Sequence, residues 1–400
     1  MINVEAIRKQ FLVYKKYPNL RFFDSAASSL KHKNVVKAMT DYLSYNGTNV
    51  HRGVYSLAQE ATDLYEKGRT DVARFIGSNL EEVIFTKSTT HALNMLARGL
   101  KDLLQKGDEI VLSGLEHHSN LLPWLELATE QGLIVKWITP EDGKITIPNF
   151  KKVLSSRTRL VITHHISNVM GYITPIEKMI ELSHKVGAYV VLDAAQSIAY
   201  KKLNVANLDV DFVAFSGHKM YGPNGVGVLY GKYKLLELIK PAEFGGEMVD
   251  KVILPKSTFK APPYKFESGT PPIAEVIGLS EAIKFIEKVG QKKLYQHALY
   301  LRNYCLDKLK NEPFIEIYNQ AENSTLLTFN IEGVHPHDTA SFLDQYEVAV
   351  RAGHHCNQLT MKYLNQDATN RASFSCYNSI EDCNILIDAI LETRNFFKNI

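Results

Sequence analysis

Short runs of β-branched and other apolar residues alternate with longer stretches of helical periodicity between Glu82 and Tyr230. Six of these runs predict strands: Val83–Phe85, Glu109–Leu112, Leu133–Ile138, Leu160–Thr163, Tyr189–Leu192 and Phe212–Phe215. Amphipathic segments such as His91–Leu104 and Glu177–Val186 lie between them and predict helices. Because strands that alternate with helices usually pair in parallel, we predict an α/β fold with a mostly parallel sheet and helices on both faces.

A second, smaller unit is predicted toward the C-terminus. The chain has 400 residues, against roughly 100–200 for an ordinary domain, so two domains are expected. After the proline-rich segment Pro255–Pro272, a long helical pattern covers Ile273–Leu309. Further elements predict an α+β unit: strands at Ile315–Tyr318, Thr325–Ile331 and Val348–Val350, and helices at Pro336–Tyr346 and from Glu381 onward. We predict a large domain over residues 21–286 and a small C-terminal domain over residues 287–400, with residues 1–20 packing on the small one.

Composition argues against several classes of function. The 46 Lys and Arg residues nearly balance the 43 Asp and Glu residues and are scattered, so no nucleic-acid-binding or membrane-binding face is expected. The four cysteines include no C-x-x-C pair, which argues against a disulfide scaffold or a zinc knuckle. The first ten residues lack the apolar core of a signal peptide, and no stretch approaches the roughly 20 apolar residues that span a bilayer. We therefore expect a cytoplasmic protein.

Polar residues follow several of the predicted strands, at the edge where open α/β sheets bind ligands. They form five groups: Ser88-Thr89-Thr90, Glu116-His117-His118, His164-His165 with Asn168, Asp193-Ala194-Ala195-Gln196, and Ser216-Gly217-His218-Lys219. Together they supply what pyridoxal phosphate requires of a protein. The cofactor needs a lysine for a Schiff base, a carboxylate at its pyridinium nitrogen, an anion site for its phosphate and a flat group over its ring.

Individual residues can be matched to these requirements. Lys219 is the candidate Schiff-base lysine, and Asp193 is the candidate partner of the pyridinium nitrogen. Thr89 and Thr90 begin a predicted helix, where backbone N–H groups and the helix dipole favour a phosphate. Three more side chains complete the predicted set: Ser216 and His218 as phosphate donors, and Gln196 as a contact to the phenolic oxygen.

Each of these residues also has a simpler interpretation. Thr89 and Thr90 can be an ordinary helix N-cap, and Asp193 can cap the helix that follows its strand. A single lysine such as Lys219 is usually a solvated surface group. The order and spacing of the whole set are what favour a cofactor site.

Three glycines stand close together at positions 222, 225 and 227. A dinucleotide-binding loop needs glycines that open a helix, whereas these lead into the apolar run Val226–Tyr230. We therefore predict a turn that leads into an edge strand.

Four longer motifs occur in a fixed order along the chain: Glu116-His117-His118-Ser119-Asn120, Asp193-Ala194-Ala195-Gln196, Ser216-Gly217-His218-Lys219 and Arg351-Ala352-Gly353-His354-His355-Cys356. With Phe23-Asp24-Ser25-Ala26-Ala27, they resemble the class V aminotransferase group, and most closely its SufS-type cysteine desulfurases and selenocysteine lyases. The resemblance extends from Phe23 to the C-terminal helix and implies pyridoxal-phosphate fold type I. Ser88 and Asn357 depart from the group's usual pattern without removing a required chemical group.

The resemblance implies a role for each matching residue. Lys219 would be the Schiff-base lysine, Asp193 the pyridinium partner and Gln196 the contact to the phenolic oxygen. His117 would lie over the cofactor ring and would be a further acid or base. The phosphate-binding residues would be Thr89, Thr90, Ser216, His218 and, from a second subunit, Thr270, which implies a homodimer. The substrate-binding residues would be Asn168, Arg351 and Arg371, of which Asn168 and Arg371 match the positions that hold the substrate carboxylate.

Cys356 matches the family's sulfur-accepting cysteine, and its neighbours favour a reactive thiol. It follows His354 and His355, with Arg351 five residues before it, an electropositive setting that favours the thiolate. Three adjacent residues do not converge easily on one metal ion, so no metal is expected. The other cysteines lie in apolar patterns and are predicted to be inert core thiols: Cys305, Cys376 and Cys383.

The implied reaction converts L-cysteine to L-alanine, leaves a persulfide on Cys356 and passes the sulfur to an acceptor of the SufE or SufU type for iron–sulfur cluster assembly. A selenocysteine lyase acting on L-selenocysteine is the main alternative, because the same lysine, arginine and cysteine serve both. A kynureninase-like enzyme would not need Cys356. A non-catalytic scaffold would be expected to have lost chemical positions, and all are present in the sequence.

Overall fold

A computed structural model describes residues 2–398 of the chain. Its strands are, in chain order, β1 Arg21–Phe22, β2 Val83–Thr86, β3 Glu109–Ser113, β4 Ile134–Ile138, β5 Thr158–His164, β6 Tyr189–Asp193, β7 Phe212–Ser216, β8 Gly227–Gly231, β9 Val249–Ile253, β10 Lys256–Phe259, β11 Ile315–Ile317, β12 Leu326–Ile331, β13 Val348–Ala349, β14 Arg351–Gly353 and β15 Thr369–Ser373. Its helices are α1 Val4–Arg8, α2 Val13–Lys16, α3 Lys33–Tyr45, α4 Ser56–Ile76, α5 Thr89–Leu100, α6 Leu122–Gln131, α7 Ile147–Lys151, α8 Ile176–Lys185, α9 Val205–Leu208, α10 Tyr233–Leu238, α11 Ile273–Val289, α12 Gln291–Leu309, α13 Pro336–Asp344, α14 Gln358–Tyr363 and α15 Ile380–Lys398. Within the described range, none of these helices is both long enough and apolar enough to cross a membrane.

A seven-stranded sheet forms the centre of the larger part, in the order β2-β8-β7-β6-β5-β3-β4. Strands β3 to β7 pair in parallel, and β8 runs antiparallel to both of its neighbours. The predicted mostly parallel sheet is confirmed, and each of the six predicted strands is present with its ends shifted by at most two residues.

The prediction of an edge strand at Val226–Tyr230 is wrong. Strand β8 lies inside the sheet, between β2 and β7, and pairs with both. Gly227 makes this position possible, because a Cβ there would lie 2.6 Å from the carbonyl carbon of Ser88. Glycine thus lets β8 pass directly beneath the loop that starts α5.

The two faces of the sheet are covered by different helices, as predicted. Successive residues of a strand point to opposite faces, so Ile110 and Val111 belong to two separate buried clusters. Residues of α4, α8 and α11 fill the cluster on one face, and residues of α5 and α6 fill the other.

A second, antiparallel sheet has the order β11-β12-β15-β14 and packs against α12, α13 and α15. The helical pattern predicted across residues 273–309 is two helices, because the chain turns at Gly290 with φ of 92°. In the N-terminal segment, Ile7 and Phe11 join the core of the larger part, while Arg8 pairs with Asp382 of α15. The division at residues 286 and 287 stays a prediction.

A buried ion pair fixes the segment that precedes Thr270. Arg69 of α4 is 1% exposed, and its two terminal nitrogens donate to the Glu267 carboxylate at 2.8 and 2.9 Å. That carboxylate also accepts from the Phe85 N–H at 2.8 Å and from the Tyr65 hydroxyl at 2.9 Å. Because Phe85 lies in β2, the network ties this segment to the strand that leads into α5.

Candidate active site

A cavity opens at the carboxyl ends of the parallel strands, and the small sheet contributes residues to its lining. Twelve predicted site residues line it: Thr89, Thr90, His117, Asn168, Asp193, Gln196, Ser216, His218, Lys219, Arg351, Cys356 and Arg371. Thr270 is exposed and lies outside this lining within the described chain. The family resemblance implies that Thr270 contacts the phosphate site of a second subunit, and this contact stays a prediction.

Lys219 and Asp193 stand at the ends of neighbouring strands. Asp193 is the last residue of β6, and Lys219 lies in the 3₁₀ turn Gly217–Lys219 directly after β7. The turn needs glycine at its start, because a Cβ at Gly217 would lie 3.0 Å from the carbonyl oxygen of Pro223 and 2.9 Å from a Val226 methyl group. This tight turn places the lysine at the same sheet edge as the carboxylate.

The charges around Lys219 favour a reactive amine. Burial lowers the pKa of Lys219, and Arg371 and Arg351 add to this effect, whereas Asp193 and Cys356 oppose it. Burial also raises the pKa of Asp193, which the Lys219 charge counteracts. A lysine with a lowered pKa is available as a nucleophile and base nearer to neutral pH than an exposed one.

Hydroxyl groups surround the N-terminal end of α5. The Thr89 N–H donates to the Ser216 Oγ at 2.7 Å, and the Thr89 and Ser216 hydroxyls are 2.6 Å apart. The Thr90 hydroxyl lies 2.6 Å from that of Ser119. The helix N-cap is Ser88, whose Oγ accepts a backbone N–H one turn further on, so the two threonines are not the side-chain cap. These hydroxyls and the helix dipole favour an anion at this end of the cavity.

Two histidines of the lining are held neutral. Burial and then Lys219 lower the pKa of His117 to about 3, and the same two causes lower that of His218 to about 4. The His117 Nδ1 accepts the Ser119 N–H at 3.1 Å, which assigns the ring proton to Nε2. A neutral, flat imidazole is the kind of group that a cofactor ring requires above it.

Arg371 carries an unsatisfied donor. It lies in β15, its Nη1 donates to the Asn168 carbonyl oxygen at 2.7 Å, and its Nη2 lies 3.5 Å from Asp24. Among the described residues its buried Nε has no hydrogen-bond partner. Burial lowers the pKa of Arg371 to about 10, so it remains a cation at neutral pH. A buried guanidinium with a free N–H fits a carboxylate ligand.

Arg351 is committed to a different partner. It contacts both oxygens of Asp24, with Nε at 3.1 Å from each and Nη2 at 2.9 Å from one. Asp24 therefore holds the two cavity arginines together. No role for it could be read from the sequence, because it lies 327 positions from Arg351.

Two side chains that were predicted to contact a ligand also form hydrogen bonds within the protein. The Gln196 Nε2 donates to the Ala26 carbonyl oxygen at 2.8 Å. The Asn168 Nδ2 donates to the His355 carbonyl oxygen at 2.7 Å, and its Oδ1 accepts from Asn357 at 3.2 Å. Asn168 thus contacts the Cys356 loop, and its predicted bond to the substrate carboxylate stays a prediction.

Cys356 is exposed and borders the cavity, while the other three cysteines are buried, as predicted. Its loop is conformationally demanding, since His355 and Cys356 both have φ of 53°. Two successive non-glycine residues in the left-handed region persist only where their surroundings hold them. Here the Cys356 carbonyl oxygen accepts the His118 N–H at 2.8 Å, and the buried Asn357 donates to the Leu115 carbonyl oxygen at 2.8 Å.

The residues that line the cavity fit pyridoxal phosphate. They include a lysine next to a buried carboxylate, hydroxyls at a helix N-terminus, a neutral imidazole and an arginine with a free N–H. Over residues 2–398, no group of histidine, cysteine or acidic side chains is arranged to hold a metal ion.

Known proteins of one family are similar to this chain over almost its full length. The family model described as aminotransferase class-V matches residues 21–386. A probable cysteine desulfurase of Halalkalibacterium halodurans is 45% identical, covering 100% of both proteins, and one of Staphylococcus epidermidis is 41% identical, covering 99% of this chain and 98% of that protein. The crystal structure of the cysteine desulfurase CsdA from Escherichia coli is similar with a TM-score of 0.93 and 34% identity over 99% of each chain. The apo cysteine desulfurase of Thermococcus onnurineus gives a TM-score of 0.94 and 38% identity, covering 100% of this chain and 99% of that one.

Proposed function

The chain belongs to the class-V aminotransferase family, and we propose that, as a pyridoxal-phosphate-dependent cysteine desulfurase, it converts L-cysteine to L-alanine and receives the sulfur on Cys356. The observation that carries this proposal is the convergence of Lys219, Asp193, Arg371 and Cys356 on one cavity. They come from the ends of two strands of the large sheet and from two parts of the small domain. No single one of them would specify this reaction.

Different residues of the cavity would bind the cofactor and the substrate. Bound pyridoxal phosphate supplies an electron sink for the electron pair that is released when the substrate loses its Cα proton. Asp193 would pair with the pyridine nitrogen, and Thr89, Thr90, Ser216 and His218 would hold the phosphate. Arg371 would bind the substrate carboxylate through its free Nε. The lowered pKa of Lys219 suits its amine to remove and return the proton at Cα.

Cys356 would then take the sulfur. Its thiolate attacks the substrate sulfur, a new S–S bond forms, and the bond between that sulfur and Cβ breaks. The carbon keeps the bonding electron pair and gains a proton, which yields the methyl group of L-alanine. The exposure of Cys356 supports transfer of the terminal sulfur onward, since a second protein can reach it.

The biological setting is part of the same proposal. We propose a SufE- or SufU-type acceptor, iron–sulfur cluster assembly as the use of the sulfur, and a cytoplasmic homodimer in which Thr270 reaches the partner's phosphate site. The motif from Arg351 to Cys356 and the exposed position of Thr270 support this setting. A selenocysteine lyase remains the alternative with the same residues.

Incubation of the protein with L-cysteine is expected to add one sulfur atom to Cys356, which mass spectrometry of the intact protein and its peptides can locate. Cys305, Cys376 and Cys383 are internal controls, because they are buried and should stay unmodified. In Cys356→Ser, persulfide and cysteine-dependent alanine formation should both fall to background. A persulfide on another cysteine, with Cys356 unmodified, would contradict the assignment. Retained cleavage of L-selenocysteine by Cys356→Ser would instead favour the lyase.

Arg371→Lys is expected to raise KM for L-cysteine by about 10- to 100-fold, the loss of one charge-assisted hydrogen bond. Lysine keeps the charge but cannot present the fixed N–H geometry of the guanidinium. Steady-state alanine formation would show this as a change in KM larger than that in kcat. Arg351→Lys is the matched control, because its guanidinium is occupied by Asp24 and its KM effect should be smaller. Equal effects of the two substitutions would argue against Arg371 as the carboxylate site.

A further inference from the structure

Two adjacent histidines, His164 and His165, end the apolar run of β5, and the proposed reaction uses neither. Strand β5 lies between β3 and β6, so His164 stands between the loop that carries Glu116 and the strand that ends in Asp193. His164 and Asp193 are directly paired positions of the parallel ladder. His164 and Asp193 line the cavity, and Glu116, three residues after the end of β3, lies buried beside His164.

Glu116 holds the His164 ring. Its Oε1 lies 2.9 Å from the His164 Nδ1 in an ion-pair contact, which is not aligned as a hydrogen bond among the described residues, and Glu116 is 0% exposed. The Glu116 carboxylate accepts hydrogen bonds from the Ser113 hydroxyl at 3.1 Å and from the Asn120 amide at 2.7 Å. A carboxylate with no access to water requires such partners, and a cation is the strongest of them. The pair therefore favours a protonated His164.

The two neighbouring histidines differ in charge. Burial opposes protonation of His164, but Glu116 and then Asp193 outweigh it, so the pKa of His164 is raised. His165 is equally buried, and burial with Lys201 and His164 lowers its pKa to about 4. His164 therefore keeps its extra proton to a higher pH than His165 does.

The His164 charge acts on Asp193. Burial raises the pKa of Asp193, and Glu116 raises it further, whereas the Ala195 N–H, Lys219 and His164 lower it. The Ala195 N–H donates to one Asp193 oxygen at 2.9 Å. Without His164, Asp193 would face the negative Glu116 with one cation fewer to offset it.

We propose that the Glu116–His164 pair is a positioning unit for Asp193, in which the His164 imidazolium keeps the Asp193 carboxylate ionised and Glu116 keeps the imidazolium in place. The proposal rests on the proposed function, because Asp193 serves the bound pyridoxal phosphate. Both residues act through Asp193, and neither is given a part in breaking the bonds of the substrate.

The test measures the affinity of the full-length protein, freed of cofactor, for pyridoxal phosphate by absorbance titration at several pH values. His164→Asn is expected to raise Kd about tenfold at pH 6.5, because Asp193 then has the negative Glu116 beside it without the offsetting cation. The difference should shrink as the pH rises, because a higher pH favours the ionised form of Asp193 in the variant as well. His165→Asn is the matched control, on the same strand end with the same burial, and should stay within about threefold of wild type.

The double variant separates charge from structure. Adding Glu116→Gln to His164→Asn removes the unpaired negative charge beside Asp193, so most of the lost affinity should return. A purely structural role for His164 predicts that the second substitution makes binding worse, and that result would overturn the proposal.

Titration of the histidine ring nitrogens by NMR reports the protonation of His164 directly, with His164→Asn identifying its signals. The His164 ring is expected to stay protonated above pH 6.5 and to lose that behaviour in Glu116→Gln. If the His164 ring of the wild-type protein is already neutral at pH 6.5, the inference fails while cofactor binding and the Cys356 persulfide stay intact. Failure of the proposed function would be different, since wild-type protein would then bind no pyridoxal phosphate or form no persulfide on Cys356.

Discussion

Lys219→Ala is expected to reduce alanine formation from L-cysteine by at least about 1,000-fold, within the range that a positioned acid or base contributes. The substitution removes the one lysine of the cavity lining, and with it the amine whose pKa burial lowers. A stopped assay of alanine, with enzyme in excess, would measure the residual rate. Substrate should still bind through Arg371, so the loss should appear in kcat.

Lys219→Arg tests whether the positive charge of Lys219 or its ability to accept a proton is what the reaction needs. Arginine restores a cation beside Asp193 but stays protonated at neutral pH and cannot serve as the base. It should therefore be as inactive as the alanine variant. Activity above about a tenth of wild type in either variant would assign proton transfer to another group, with neutral His117 the first candidate.

Glu267→Leu is expected to lower the free energy of unfolding by about 3–5 kcal/mol, because it leaves the buried Arg69 without its main counterion. Arg69 is 1% exposed and would retain Glu66, at 2.8 Å from its Nε, and the Val83 carbonyl oxygen, at 2.7 Å from its Nη1. Urea denaturation followed by circular dichroism would measure the change. The double variant Arg69→Leu/Glu267→Leu should recover part of the loss, since an apolar pair replaces the buried ions, while the Phe85 N–H and the Tyr65 hydroxyl still lose their acceptor.

An exposed ion pair is the matched control for Glu267. Glu130 lies 3.0 Å from Lys101, and both side chains are about half exposed. Glu130→Leu should change the free energy of unfolding by no more than about 1 kcal/mol. Similar losses at Glu130 and Glu267 would mean that burial does not set the strength of the Arg69 network.

The strands of the large sheet could be predicted because a run such as Tyr189–Leu192 is apolar on both faces of the sheet. The order of the strands within the sheet was harder to predict from the sequence. Strand β8 enters between β2 and β7, and this pairing depends on contacts between distant segments that periodicity does not record. The break between α11 and α12 had a local signal, Gly290, which the continuous apolar pattern on either side concealed.

The site was predictable where a residue type at a strand end is itself informative. Asp193 and Lys219 follow apolar runs and were placed correctly at the same sheet edge. Residues that act through distant partners could not be found this way. Asp24 accepts a hydrogen bond from Arg351, which lies 327 positions away in the sequence, and Asn357 donates one to Leu115, which lies 242 positions away. The only local signal of Asn357 was a polar residue directly after Cys356.

The anchoring of the Cys356 loop has a consequence for how reactants move. Four hydrogen bonds attach it to the segments that follow β3 and β5: from the His118 N–H, from the Asn168 amide, and from Asn357 to the Leu115 carbonyl oxygen and to the Asn168 Oδ1. At about 1 kcal/mol each, they restrict a detached loop to below about 1% of molecules. The Cys356 thiol is therefore held in one position at the edge of the cavity. Under the proposed function, the substrate must reach this thiol from the cavity, and the sulfur acceptor must reach it from solvent.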